Sequence, residues 1–182
     1  LSRWQQHPVM QDFSLSVNVS YKQFRDRGFV PLVSQLINRY PLIKGKLRLE
    51  LTETMLVDDM ELVIERMNEL RNIGVHFSLD DFGTGYSSLK YLKKLPINQL
   101  KIDKSFIDDL VSDKNDQSIV KTIISMSETL GLNTIAEGVE KEEQRVYLEM
   151  EGCLLYQGYL FSRPVSIDGF EKLSDKQRKL SD

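Results

Sequence analysis

Six short segments of strand character, each followed by a stretch with helical apolar spacing, constrain this chain more than any other feature of it. In the first, residues 15–20, Leu15, Val17 and Val19 alternate with Ser16, Asn18 and Ser20. Val30, Val33, Leu36 and Ile37 then mark a helix over residues 28–39. Residues 46–52 alternate again. Met60, Val63, Ile64, Met67 and Leu70 follow at helical spacing up to Gly74, which stands where a left-handed cap stops a helix. The third strand is predicted over 75–79, ahead of a short helix that leads to Pro96. The fourth is predicted over 99–102, followed by a helix over 116–130 that turns Ile119, Val120, Ile123 and Met126 inward and ends at Gly131. A fifth strand at 133–136 precedes a charged helix at 141–150. A sixth at 153–156 precedes a last helix at 167–173, and the polar tail from about residue 174 is expected to fray.

Strands separated by helices run parallel, because the chain has to cross back before the next strand begins. That leaves an open doubly wound sheet or a closed barrel. No glycine-rich phosphate loop follows the first strand, which weakens the dinucleotide-binding form of the open sheet. A closed barrel takes eight strands and typically ~250 residues. The six units here, and an opening Leu1-Ser2-Arg3-Trp4 that reads as the end of an uncapped helix, predict one α/β barrel-type domain over 1–182, incomplete at its N-terminus. Apolar residues at 41% and charged ones at 28% fit a globular chain. A net charge of −3 argues against a bulk nucleic-acid binder. No apolar run approaches the ~18–20 residues of a membrane span, so no membrane contact by this domain is expected. The single cysteine, Cys153, cannot form an internal disulfide, which favours a reducing, cytoplasmic setting.

The polar residues at the strand ends carry the functional signal. They are Asn18; Glu50 with Glu53; Asp80 with Asp81; Lys101 with Asp103; Glu137; and Gln157. Successive leading members lie 32, 30, 21, 36 and 20 residues apart, roughly one strand–helix unit each. In a barrel the C-terminal strand ends converge on one mouth, where active sites are built. Clustered carboxylates repel one another and resist burial unless cations accompany them, and hard oxygen donors suit Mg²⁺, Mn²⁺ or Ca²⁺. His7, His76 and Cys153 offer no zinc-like spacing; the two histidines lie at strand or helix beginnings, away from the mouth, and His76 and Cys153 read as structural. Asp80 and Asp81 can face the mouth together only if the strand ends there, as Gly83 and Gly85 suggest. One of the two is then placed to bridge a pair of cations, the arrangement that clamps attacking and leaving oxygens in phosphoryl transfer. Lys101 is suited to orient the attacking water or to stabilise charge developing on phosphate oxygens. Any one strand-end acid is more simply a helix cap, the reading given to Asp58 or Asp59 and to Asp116. Six strand ends behaving alike is not explained that way.

These residues, taken with their neighbours, resemble the EAL domain family, bacterial phosphodiesterases of the second messenger cyclic di-GMP. The matching segments are Ser16 to Ser20, Leu49-Glu50-Leu51-Thr52-Glu53, the run Asp-Asp-Phe-Gly-Thr-Gly-Tyr-Ser-Ser-Leu from Asp80, and Leu100 to Phe106. Ala136-Glu137-Gly138-Val139-Glu140 and Gln157 to Pro164 complete the set in family order. The resemblance implies a TIM-like barrel modified by an antiparallel strand, and hydrolysis of cyclic di-GMP to linear pGpG with two Mg²⁺ or Mn²⁺ ions. By motif match, Asn18, Glu50 and Asp80 ligate one ion, and Asp80, Asp81 and Glu137 serve the other. Lys101 holds the nucleophilic water, and Gln157 supports water or substrate. Glu53 anchors the loop that links metal binding to dimerisation. Arg163 and Tyr159 are candidates for phosphate and base contact, with Glu140 a further candidate at the mouth.

The likeness also implies a homodimer and a fused sensory or GGDEF cyclase domain in the parent protein, and it is compatible with a membrane-tethered parent. Three departures stand out. The signature Glu-Ala-Leu is absent from this chain, and with it one family metal ligand, so the fragment alone is expected to hydrolyse weakly or not at all. Leu154 and Asn98 stand where aspartates are usual. The competing expectation is a receptor that binds cyclic di-GMP without cutting it; an unrelated metal-dependent barrel enzyme is a third.

Overall fold

In the computed structural model, residues 1–4, 7, 10–56, 59–85 and 92–181 are described. Among these residues, six strands form one sheet in chain order: β1 (Leu15–Asn18), β2 (Leu47–Thr52), β3 (His76–Phe82), β4 (Gln99–Ile102), β5 (Asn133–Ala136) and β6 (Leu155–Tyr156). All five strand pairings are parallel. Among the described residues the sheet is open, with β1 and β6 as its edges, so the architecture is an incomplete TIM-like barrel. The antiparallel strand implied by the resemblance is not among the described residues.

The helices, among the described residues, are α1 (Tyr21–Arg25), α2 (Phe29–Arg39), α3 (Met60–Asn72), α4 (Ser105–Asp108), α5 (Lys114–Thr129), α6 (Glu142–Met150) and α7 (Ile167–Ser181). None is long and apolar enough to cross a membrane. Parallel strands need these crossovers, and the helices cover one face of the sheet. That face presents Leu49, Leu51, Phe77, Leu79, Leu100 and Ile102, which pack with Phe24, Val33, Ile37, Val63, Met67 and Leu70 in the core. Leu47 pairs with Leu15 and Leu49 with Val17, so the alternate positions face the other way. These are Ser16, Asn18, Arg48, Glu50, Ser78, Asp80, Gln99 and Lys101. The N-terminal turn at Ser2–Trp4 docks on α7: Trp4 stacks obliquely on Phe170 at 5.6 Å, and Arg3 bridges Asp168 and Glu171.

Several local expectations change. Val19 and Ser20 lie beyond β1, and Ser20 caps α1, a helix the apolar pattern does not show. Its side chain accepts from Gln23 N–H at 3.3 Å while Gln23 accepts from Ser20 N–H at 3.0 Å. In α5 the buried stripe is Val120, Ile123, Ile124 and Ser127; Ile119 is 37% exposed, one step round the helix from the face expected for it. Asp113, not Asp116, caps that helix by accepting from Asn115 N–H at 2.6 Å. Asp59 precedes α3 in a left-handed conformation without a capping hydrogen bond from its side chain. The sixth strand shortens to Leu155–Tyr156, and α7 continues through Ser181 instead of fraying at 174, with Ser174 buried on it. Gly74 and Gly131 do end their helices with positive φ. Residues 86–91, on the way to Pro96 where a short helix is expected, lie outside the described residues, and so do Tyr86 to Leu89 of the motif and Asp58.

Candidate active site

Lys101 is the centre of the polar face. Its Nζ lies 2.7 Å from Glu50 Oε2, 2.9 Å from Asp80 Oδ1 and 2.5 Å from Glu137 Oε1. These residues come from β2, β3, β4 and the residue just beyond β5. Glu50 and Asp80 are each 8% exposed and Lys101 4%. Three N–H donors meet three carboxylates, so the ammonium is fully satisfied. Burial pulls the Lys101 pKa down, but hydrogen bonds to Glu137, Glu50 and Asp80 outweigh it and hold the ammonium above its ordinary value. Gln157 joins the group by donating from Nε2 to Glu137 Oε1 at 2.6 Å.

Asp81 reaches the same side by a route other than the one expected. β3 does not end at Asp80; it continues to Phe82. Leu79 pairs with Leu100, yet Phe82 pairs with Ile102, so β3 holds one residue more than β4 across this stretch. This is a β-bulge, and Asp81 occupies it with φ 53°, a conformation Asp tolerates better than most residues. The Asp81 N–H, freed from the ladder, donates to Asp80 Oδ1 at 3.1 Å. Glu53 lies just past β2 and is 4% exposed. Its Oε2 accepts from Gly83 N–H and Gly85 N–H, both at 3.2 Å, which fastens the segment that follows the bulge.

Asp80, Asp81 and Glu137 each offer an oxygen within 4.8 Å of the others, a donor set compatible with a hard divalent cation. With Glu50 they set four carboxylates against the single ammonium of Lys101. Burial, opposed by Lys101 and reinforced by Asp80 and Glu50, holds the Glu137 carboxyl above its ordinary value. Burial, with the charges of Asp80 and Asp103, does the same for Asp81. Asn18 stands in register with Glu50, at an exposed position on the edge strand. Asp103 serves as a local brace: Ser105 N–H donates to it at 2.9 Å.

A cleft of about 790 Å³ adjoins the cluster at Gln157 and is lined also by Lys104, Glu140, Tyr159 and Arg163. The Arg163 guanidinium lies over the Tyr159 ring at 4.5 Å. Glu140 is exposed and paired with Lys104 at 2.8 Å. Of the two departures inside the chain, Asn98 lies at the opposite end of the sheet. Its Oδ1 accepts from Phe77 N–H at 3.1 Å, a task an aspartate oxygen does equally well. Leu154 is 71% exposed, and nothing in the structure explains it.

A parallel sheet whose strand ends gather these acids around one lysine has the architecture of a barrel-mouth site, with a donor set compatible with a hard divalent cation. The EAL domain family model matches residues 1–164, and the chain belongs to that family. It is 43% identical over 154 residues to the bifunctional diguanylate cyclase/cyclic di-GMP phosphodiesterase MucR of Pseudomonas aeruginosa, which covers 85% of this chain and 22% of that protein. It is 46% identical over 158 residues to the cyclic di-GMP phosphodiesterase NbdA of the same organism, covering 87% of this chain and 20% of NbdA. The chain therefore spans about a fifth of the length of these curated relatives. Among solved structures, the PaMucR phosphodiesterase in complex with c-di-GMP superposes with a TM-score of 0.88 at 40% identity, over 93% of this chain and 68% of that one. The EAL domain of Mycobacterium smegmatis DcpA gives 0.90 at 39% identity, over 96% and 78%.

Proposed function

We propose that this chain is the catalytic part of a cyclic di-GMP phosphodiesterase, which opens one phosphodiester of the cyclic dinucleotide to give linear pGpG with Mg²⁺ or Mn²⁺. The observation that carries the reading is the meeting of Glu50, Asp80 and Glu137 at Lys101, with Asp81 and Gln157 beside them. Relatives named as cyclic di-GMP phosphodiesterases, and a related structure described as a c-di-GMP complex, support the substrate.

In this reading Asn18, Glu50, Asp80, Asp81 and Glu137 hold two divalent ions. When bound, the ions would supply Lewis-acid stabilisation of the charge that builds on the phosphoryl oxygens. A water oxygen bonds to phosphorus, the bond from phosphorus to the 3′ oxygen breaks, and the displaced oxygen takes up a proton. Lys101 holds the attacking water by releasing one of its three carboxylate contacts. Gln157 keeps the Glu137 carboxylate aimed, and Glu53 fixes the segment behind Asp81. Arg163 offers a phosphate contact and Tyr159 a face for a base, on the rim of the cleft with Glu140. The proposal includes a homodimer, a fused sensory or GGDEF domain in the parent and a cytoplasmic location; sedimentation of the chain tests the first.

The test is incubation of cyclic di-GMP with the longest natural polypeptide that contains these residues, in Mn²⁺ or Mg²⁺, with chromatography of the products. Appearance of pGpG, abolished by EDTA, is expected. Tight binding of cyclic di-GMP without any product would replace the enzyme by a receptor.

A further inference from the structure

Gln144 is 2% exposed on α6 and belongs to none of the motifs above. Its Oε1 accepts from Glu140 N–H and Lys141 N–H, both at 2.9 Å. Its Nε2 donates to the Ile107 carbonyl at 2.7 Å and approaches that of Asp108 at 3.5 Å. Glu140 and Lys141 close the turn that begins at Glu137. Ile107 and Asp108 lie in α4, which follows Lys101 on β4. One buried amide therefore ties the segment after Lys101 to the segment after Glu137.

A second link crosses the same gap, the Lys104–Glu140 ion pair at 2.8 Å. Its side chains are 47% and 41% exposed, so solvent and salt screen it and it holds little. The amide is the firmer tie, because removing it takes the partner from the buried Ile107 carbonyl and from two part-buried N–H groups. The turn itself has no slack. Gly138 has φ +69°, and a Cβ there would strike the Lys104 side chain. Val139 is bonded through its backbone to Gln157 and Leu160 at 3.1 and 3.0 Å.

The geometry points to Gln144 as a positioning residue that sets where Glu137 stands relative to Lys101, and so where the acid cluster presents its oxygens. The consequence for metal affinity rests on the metal-binding reading proposed above. The experiment compares the parent protein with Gln144→Met, which keeps volume and removes every side-chain hydrogen bond at this position. Gln144→Glu retains the acceptor for the two N–H groups. Leu148→Ala, fully buried one turn along the same helix, is a pure packing control. Two readouts are taken below the melting range: Mn²⁺ affinity by calorimetry, and exchange of the Lys101 ammonium protons by NMR in metal-free protein. Gln144→Met is expected to weaken Mn²⁺ binding by about tenfold or more and to speed Lys101 exchange. Gln144→Glu should fall between Met and the parent chain, and Leu148→Ala should lower only the melting temperature. Parent-like values for Gln144→Met in both readouts, or equal changes in Leu148→Ala, would overturn the inference. All variants are made in the longest natural polypeptide that contains these residues; if that unaltered protein binds no Mn²⁺, the metal reading fails, and the Lys101 exchange rates still decide whether Gln144 positions Glu137.

Discussion

The two faces of the sheet share one backbone and are held together by different physics. On the helix side, Leu49, Leu51, Phe77, Leu79, Leu100 and Ile102 are at most 3% exposed. Each contributes by area removed from water, about 1.5–3 kcal/mol for a side chain of this size. On the other side, one residue along each strand, Glu50, Asp80 and Lys101 are almost as buried and would each be unfavourable alone. They are tolerable because each compensates another. The first face adjusts to an altered side chain by degrees, whereas the second fails when one partner is lost.

The largest test of that contrast is Lys101→Met. Glu50, Asp80 and Glu137 then lack their ammonium, and urea unfolding at pH 7 should show a loss of about 3–5 kcal/mol. Millimolar Mn²⁺ should restore part of it, and any hydrolysis should vanish. An unchanged unfolding midpoint would break the comparison. Next comes Leu70→Ala, on the helix layer, where the parent side chain is fully buried. A loss of about 3 kcal/mol is expected, with no recovery beyond the parent's own response to Mn²⁺ and with Mn²⁺ affinity unchanged. The smallest effect is confined to alkaline solution. Burial in the core raises the Cys153 thiol from its ordinary 9.0 to about 11. The folded chain keeps this proton where the unfolded chain sheds it, so the thiol's contribution is intact below pH 9 and is lost as pH climbs towards 11. Cys153→Ala should lessen the fall in stability between pH 8 and 11 by about 2–3 kcal/mol relative to the parent. Unfolding curves that decline in parallel would show that this titration does not affect stability.

The order of elements and the inward set of polar residues were legible because both follow from periodicity. Strand alternation exposes Glu50 and Lys101 as polar positions between apolar ones. Convergence at a barrel mouth then brings together residues far apart in the chain. What periodicity does not carry was missed. Ser20 and Gln23 form a capping box that three-residue spacing hints at, but α1 is too short to show an apolar stripe. Asp113 and Asp116 are equally plausible caps until the backbone fixes which one precedes the first turn. Gln144 gives no signal at all: a glutamine on a charged helix looks solvated, and only the fold turns it inward against two loops. The route by which Asp81 joins Asp80 was also hidden, although Gly83 and Gly85 marked a departure from regular strand.

That departure has a cost and a return. A regular strand can supply one side chain to a given face for every two residues, so it cannot bring two adjacent anions to the same side of the sheet. By spending one ladder position, β3 doubles the local density of negative charge and then resets its phase, so that Phe82 returns to the apolar layer. Insertions or deletions between Leu79 and Phe82 should therefore be tolerated less well than substitutions there, because a change of length alters the count on which both layers depend.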